Sequence, residues 1–258
     1  MDLSFKVLDD LCLGIERGRV TPDILSSLVV SSITPVVEAW HQSHIFDANG
    51  LPFDWASTPL TEQLLADFVS KRSRSQMHGS KIGWIIGQEL FETETSWVGF
   101  VMRAKKAASN AGFDRKATNG VTGALDEFRS NISEHSNNAK TGYAAFYGDK
   151  GIFEFVIGDF GIGALNSLKT NPLHADLSDH GEALSLALTE GVSRHGDVSR
   201  GNGFRPLLVG LANISGFSRF RSGDHSYEIK RTTNGELETN VTQRVYLTGF
   251  SCAVQFST

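Results

Sequence analysis

Cysteine is scarce. Cys12 and Cys252 are the two in 258 residues, too few and too far apart for a disulfide framework, and no metal-type cysteine spacing occurs. That usage suits a reducing compartment. Basic charge is not in excess either: the formal net charge is −5, so the chain has no overall electrostatic footprint for nucleic acid, and no nucleic-acid partner is expected. No apolar run approaches the ~18 residues that span a bilayer. The longest candidate, around Leu25 to Val37, is interrupted by Ser31, Ser32, Thr34 and Pro35. Met1-Asp2-Leu3-Ser4-Phe5 carries no basic region ahead of an apolar one, so a signal peptide and membrane contact are not expected, and a cytoplasmic location is. Two nucleotide motifs are missing as well. No G-x-x-x-x-G-K-[ST] P-loop occurs. Asp159-Phe160-Gly161 matches the protein-kinase magnesium triplet, but no H-R-D loop precedes it and no glycine-rich loop with a V-A-I-K lysine is found, so that reading is rejected.

What is present reads as an ordinary globular chain. Hydrophobic residues make up 40% and charged residues 21%, and the length suits one large domain or two small ones. Residues 1–92 differ from the rest: they hold Pro22, Pro35, Pro52 and Pro59, and Trp40, Trp55 and Trp84. Thr58-Pro59 followed by Leu60, Leu64, Leu65 and Phe68 predicts a capped helix. Lys71-Arg72-Ser73-Arg74-Ser75 reads as a solvated helix end. His41 and His44, flanked by Glu38 and Asp47, match no metal signature and suit a solvated helix face better than a metal site. Trp40, Phe46, Phe53 and Trp55 read as a small local core, or as anchors for a protein partner or a homodimer contact.

From Trp97 onward the periodicity sharpens. Phe100, Val101, Ala104, Ala107 and Ala108 predict a helix ending near Gly112, and a second helix is expected over about 117–136. Thr141 to Tyr147 and Ile152 to Ile157 read as a hairpin joined by Gly148-Asp149-Lys150-Gly151. Short helices are expected at 183–188 and 206–213. Strands are expected at 217–221, 227–231, 244–247 and 251–256, with turns at Gly223-Asp224 and Asn234-Gly235. The order favours an α+β fold with a mixed, mostly antiparallel sheet and helices on one face.

Three motifs carry the chemistry. On the second helix, Leu125, Phe128 and Ile132 form an apolar stripe, and Glu127, Asn131 and His135 form another beside it. An amide oxygen such as that of Asn131 suits Mg²⁺. A carboxylate one turn earlier, Glu127, can orient and deprotonate a water. The bland alternative is a solvated Glu and a surface Asn. Asp159 follows a strand, where a carboxylate can accept from an exocyclic amine; Gly161 and Gly163 permit positive φ and close approach. Arg200-Gly201-Asn202-Gly203 leads into the 206–213 helix, whose first N–H groups favour phosphate. The polar stretch between the glycine motifs, Leu173 to Arg200, could close as a lid.

In this order the motifs resemble the Asn box and the two glycine boxes of the Bergerat-fold, or GHKL, ATPases. Asn131 and Asp159 are 28 positions apart, and Asp159 and Gly201 are 42 apart, as the family's spacing requires. Asn131-Ile132-Ser133-Glu134-His135-Ser136 resembles the N-A-x-x-H-S form of stand-alone bacterial members, and Glu190-Gly191-Val192-Ser193 resembles their lid. The resemblance covers roughly Trp97 to Phe256. It implies a Bergerat-type α/β sandwich over 93–258, preceded by a smaller, partly helical region, 1–92, of unknown role. It implies Glu127 as general base, Asn131 as Mg²⁺ ligand, Asp159 on the adenine amine with Gly161 and Gly163 shaping the base pocket, and Arg200, Gly201 and Gly203 at the phosphates. Ser251 stands in for the family's adenine-side Thr. The implied cofactors are ATP and Mg²⁺. The implied activity is ATP hydrolysis or transfer of the γ-phosphoryl to an unidentified protein partner; an ATP-driven switch with little turnover is the alternative. No H-[DE]-x-x-x-P follows His41, His44 or His78, which argues against a conventional sensor histidine kinase.

Overall fold

The computed structural model describes residues 2–20, 29–43, 76–78, 81–87, 89–92, 94–189 and 216–257. Its strands are β1 (Gln76–His78), β2 (Ile82–Ile86), β3 (Tyr143–Asp149), β4 (Ile152–Asp159), β5 (Phe217–Arg231) and β6 (Leu237–Ser257). They form one sheet in the order β1-β2-β3-β4-β6-β5, antiparallel throughout. The expected β3–β4 hairpin is present. Lys150 and Gly151 have φ of 39° and 83°, the two positive values that a two-residue turn needs to match strand twist. The four short C-terminal strands expected are instead two long ones. Gly223-Asp224 is not a turn but an irregularity within β5, where Ser222 faces Phe250 and Gly223 faces Leu247. Thr248 and Gly249 therefore bulge out of the ladder.

Helices α3 (Glu89–Glu92), α4 (Glu94–Asn110) and α5 (Arg115–His135) follow β2. Asp114 caps α5, its side chain accepting from Ala117 N at 2.7 Å. Buried Val121, Ala124, Leu125, Phe128 and Ile132 form its apolar stripe, and Trp97, Phe100, Val101, Ala104, Ala107 and Ala108 that of α4. Both stripes pack on the face of the sheet that carries Ala144, Phe146, Phe153, Phe155, Ile157, Cys252, Val254 and Phe256. Two further helices, α6 (Gly163–Lys169) and α7 (His180–Thr189), pack together near β5 and β6. Helices at Thr58-Pro59 and 206–213, the basic run at 71–75, and Phe46, Phe53 and Trp55 lie outside the described residues.

Side chains alternate along a strand, so Tyr143, Ala145, Val156 and Ala253 face the other way. There they meet α1 (Phe5–Glu16) and α2 (Ile33–Ser43) in a second core with Leu3, Leu8, Val36, Val37, Trp40 and Trp84. The expectation of helices on one face is thus corrected: both faces are covered, because both faces of the central strands are apolar. The boundary at residue 92 is also corrected, since β1 and β2 belong to the sheet and α1 and α2 to its second core. Trp40 serves this second core through Tyr143 and Phe160, and its expected companions Phe46, Phe53 and Trp55 lie outside the described residues. His41 is buried and spends both ring nitrogens on protein, Nδ1 with Tyr143 Oη and Nε2 on the Thr248 carbonyl, each at 2.7 Å, which leaves none for a metal. His44 lies outside the described residues.

A buried ionic network holds this second layer down. Arg219 and Arg221 of β5 point at α1 and α2. Arg219 donates to Glu38 from Nε at 3.0 Å and Nη2 at 2.9 Å, and to Asp9 from Nη2 at 2.6 Å. Arg221 Nη1 donates to the same Glu38 at 2.7 Å, and Glu228 also pairs with Arg219. Burial alone would raise the Glu38 pKa, but the two guanidiniums outweigh it and hold the carboxyl below its ordinary value. A depressed carboxyl pKa contributes stability that is present above the unfolded value and lost as pH falls through the folded one. Glu38→Ala leaves two guanidiniums without their shared partner. We expect it to cost about 3–5 kcal/mol in urea unfolding at neutral pH, with the difference from wild type narrowing in acid. A loss below about 1 kcal/mol, the size of an exposed pair, would show the network to be incidental.

Candidate functional site

Asp159 ends β4 on the same face as Phe153, Phe155 and Ile157, the face covered by α4 and α5. It is 3% exposed. Gly161 N donates to Asp159 Oδ1 at 2.7 Å, and no cation pairs with it among the described residues. Burial pushes its pKa up to about 7, opposed only by the Gly161 N–H. A carboxylate at the rim of a core with one donor is costly to ionise and has acceptor capacity to spare.

The loop after Asp159 is held by close backbone approaches. A Cβ on Gly161 would lie 2.1 Å from the Ser136 carbonyl oxygen, and Ile162 N donates to that same oxygen at 2.9 Å. Ser136 caps the C-terminus of α5. Gly249, with φ of 75°, closes the other side, where a Cβ would lie 2.1 Å from the Asp159 carbonyl oxygen. Gly163 opens α6, and Ser222 Oγ accepts from Ala164 N and donates to Gly249 O, each at 2.9 Å. The loop therefore ties together α5, α6 and the bulge in β6.

Asn131 lies five residues before Ser136, about 7.5 Å back along the helix axis. The flank it occupies follows from the contacts of its neighbours. Asp126 accepts from Trp97 Nε1 at 2.6 Å, and Arg129 donates to Glu94 at 3.1 Å, so that flank faces α4. Glu127 and Asn131 fall on the flank away from α4, as the wheel of α5 requires. Asn131 Nδ2 donates to the Glu127 carbonyl at 2.9 Å, and Oδ1 has no donor among the described residues. The Glu127 carboxylate is half-buried and makes no hydrogen bond or ion pair among the described residues. The Asp159 loop thus meets the C-terminal end of α5, the helix that carries Glu127 and Asn131. Arg200, Gly201, Gly203, the 190–193 segment and most of the expected lid lie outside the described residues.

Ser251 is a correction. It pairs with Gly158, one residue before Asp159, so alternation turns it to the opposite face. There it is buried and hydrogen-bonded to Tyr143 Oη at 3.1 Å. The residue beside Asp159 on its own face of the sheet is Phe250, its direct partner, whose ring lies 6.5 Å from Phe128 and 6.4 Å from Phe220. Counting two along the strand from Cys252, a core residue, would have found Phe250 rather than Ser251. The signal for Gly249 was the glycine itself in the middle of a β-rich run. A separate concavity of ≈ 520 Å³ on the α4 flank of α5, lined by Val98, Met102, Lys105 and Arg129, includes none of the expected site residues.

A carboxyl whose folded pKa is raised binds its proton more tightly folded than unfolded, so stability falls as pH rises between the two values. Asp159→Asn removes that titration and keeps the acceptor for Gly161. The variant should be more stable than wild type by at most ~4 kcal/mol above pH ~7, and equal to it below pH ~4. Unfolding curves across this window check it; a destabilised variant at high pH would mean the carboxylate is satisfied in the empty protein.

Comparison with family models, with curated proteins and with solved structures finds no match to the chain.

Proposed function

We propose that the protein binds ATP with Mg²⁺ where the Asp159 loop meets α5 and hydrolyses it or passes the γ-phosphoryl to a protein partner, as the resemblance to the Bergerat-fold ATPases implies. The observation that carries this reading is Asp159: a buried carboxyl with one backbone donor, no counter-cation among the described residues and a pKa raised to about 7. An adenine exocyclic amine supplies the donor such a group lacks. A guanine presents a carbonyl at the corresponding position and is disfavoured. Phe250, opposite Asp159 in the ladder, offers an apolar floor.

Asn131 fits a hard cation, since its Nδ2 is spent on its own helix and its free atom is the amide oxygen. Bound Mg²⁺ would neutralise phosphate charge. Glu127, one turn earlier and without a partner among the described residues, would orient a water or an acceptor hydroxyl and take its proton. Arg200, Gly201 and Gly203 are proposed at the phosphates on the motif alone. The layering of α4 and α5 on an antiparallel sheet supports a Bergerat-type sandwich, here with additional helices on the second face.

The switch reading, with slow or no turnover, is favoured by a different observation: Phe160, next to Asp159, packs against His41 of α2 with ring centroids 4.1 Å apart. Turnover separates the two readings. In calorimetric titration with a non-hydrolysable ATP analogue, wild type and Glu127→Ala should bind in a Mg²⁺-dependent manner, and Asp159→Asn should lose binding by about a hundredfold or more. Glu127→Ala should also lose phosphate release or transfer. Wild-type-like binding by Asp159→Asn would place the base elsewhere, and normal turnover by Glu127→Ala would remove it as the base.

A further inference from the structure

The Asp159 loop is gripped from the far side of the sheet. Gly158 and Phe160 flank Asp159 and face the opposite way, toward α2. The Tyr143 hydroxyl lies against Gly158, 2.4 Å from where its Cβ would be. Phe160 sits among Trp40, His41 and Tyr143, with ring centroids 5.4, 4.1 and 6.0 Å away. His41 links these groups. It packs against Phe160 with the rings tilted by 48°, shares a hydrogen bond with Tyr143 Oη, and donates from Nε2 to the carbonyl of Thr248. Thr248 immediately precedes Gly249, where a Cβ would lie 2.1 Å from Asp159 O and 2.7 Å from Gly161 N. One imidazole thus touches both chain segments that define the Asp159 loop, the stretch after β4 and the bulge in β6.

The α2 helix does this at a place where the sheet needs it. Beyond Asp159↔Phe250, β4 ends and β6 continues paired only with β5. Carbonyls on its vacated edge then need donors. His41 supplies one to Thr248 O, and Gln42 Nε2 supplies one to Tyr246 O at 2.8 Å. Helix α2 is therefore a substitute for the missing strand at the position where the bulge meets the loop.

We infer that His41 is a positioning residue for the nucleotide site: from the second face of the sheet it sets the Asp159-Phe160-Gly161 loop in the conformation that receives the base. This rests on the nucleotide-binding reading above. It gives the N-terminal layer a defined role, because displacement of α2 would alter nucleotide affinity, and nucleotide would alter the placement of α2 by the same factor.

The test uses the full chain and three variants. His41→Leu removes both hydrogen bonds. His41→Gln can still donate to Thr248 O and accept from Tyr143. Val37→Ala, buried one turn earlier in the same helix, loosens the second core while keeping both His41 hydrogen bonds. Each is measured for melting temperature, for affinity toward a non-hydrolysable ATP analogue, and for amide hydrogen exchange at Gly161 and Ile162, whose N–H groups bond Asp159 Oδ1 and Ser136 O. His41→Leu should weaken binding roughly tenfold and speed exchange at both amides, and His41→Gln should recover most of the affinity. Val37→Ala should melt earlier with affinity within about twofold of wild type. Equal affinity losses in His41→Leu and Val37→Ala, or unchanged affinity and exchange in His41→Leu, would reduce His41 to a packing residue. If wild type takes up no nucleotide, the functional reading fails, and exchange alone decides the role of His41: faster loop exchange in His41→Leu than in Val37→Ala supports it, and equal exchange refutes it.

Discussion

Strands β4 and β6 are paired without interruption from Ile152↔Ser257 to Asp159↔Phe250, and the two cores and the candidate site all take their places from that register. Along this ladder Phe153, Phe155 and Ile157 alternate with Glu154, Val156 and Gly158, and Cys252, Val254 and Phe256 with Ser251, Ala253 and Gln255. A slip of one residue would drive the phenylalanines under α1 and α2 and turn Asp159 away from α5. The same parity that buries the aromatic core therefore delivers Asp159 to one face and Ser251 to the other. Where the ladder ends, the chain leaves β4 for the glycine loop, β6 bulges, and α2 caps the carbonyls left over.

The buried carboxyl at that end works against stability. Glu38, equally deep, is held ionised by Arg219 and Arg221, whereas Asp159 has one N–H and, among the described residues, no cation. The two buried acids of one molecule therefore differ in how far the protein matches them. On the nucleotide-binding reading proposed above, the acceptor capacity left at Asp159 is what a ligand would fill, and local destabilisation of this kind is expected at a pre-organised site.

Much of the helix-side architecture was legible because its signals are local. The stripe of Leu125, Phe128 and Ile132 and the turn at Lys150-Gly151 each depend on near neighbours. Placing Glu127 and Asn131 on a flank of α5 needed only the helical period. The second layer was not legible in the same way. Trp40, His41, Tyr143 and Phe160 come together across more than a hundred residues, and a sheet buried on both faces gives short apolar runs that do not name their partners. Ser251 was misplaced for a related reason. The reading matched a residue type to a family position, whereas strand parity, countable from Cys252, decides the face. Gly223 looked like a turn because a glycine in a strand and a glycine in a hairpin are the same in sequence; the bulge opposite Thr248 and Gly249 distinguishes them only in the paired sheet.

The central claim is that Asp159 waits as an incompletely paired acceptor for an adenine base. Site-specific NMR titration of its carboxyl, with and without an adenine nucleotide, measures this directly. The account predicts a pKa of about 7 in the empty protein and a clear fall on saturation, as the amine stabilises the ionised form. A value in the ordinary carboxylate range, near ~4, that adenine nucleotide leaves unchanged would contradict it.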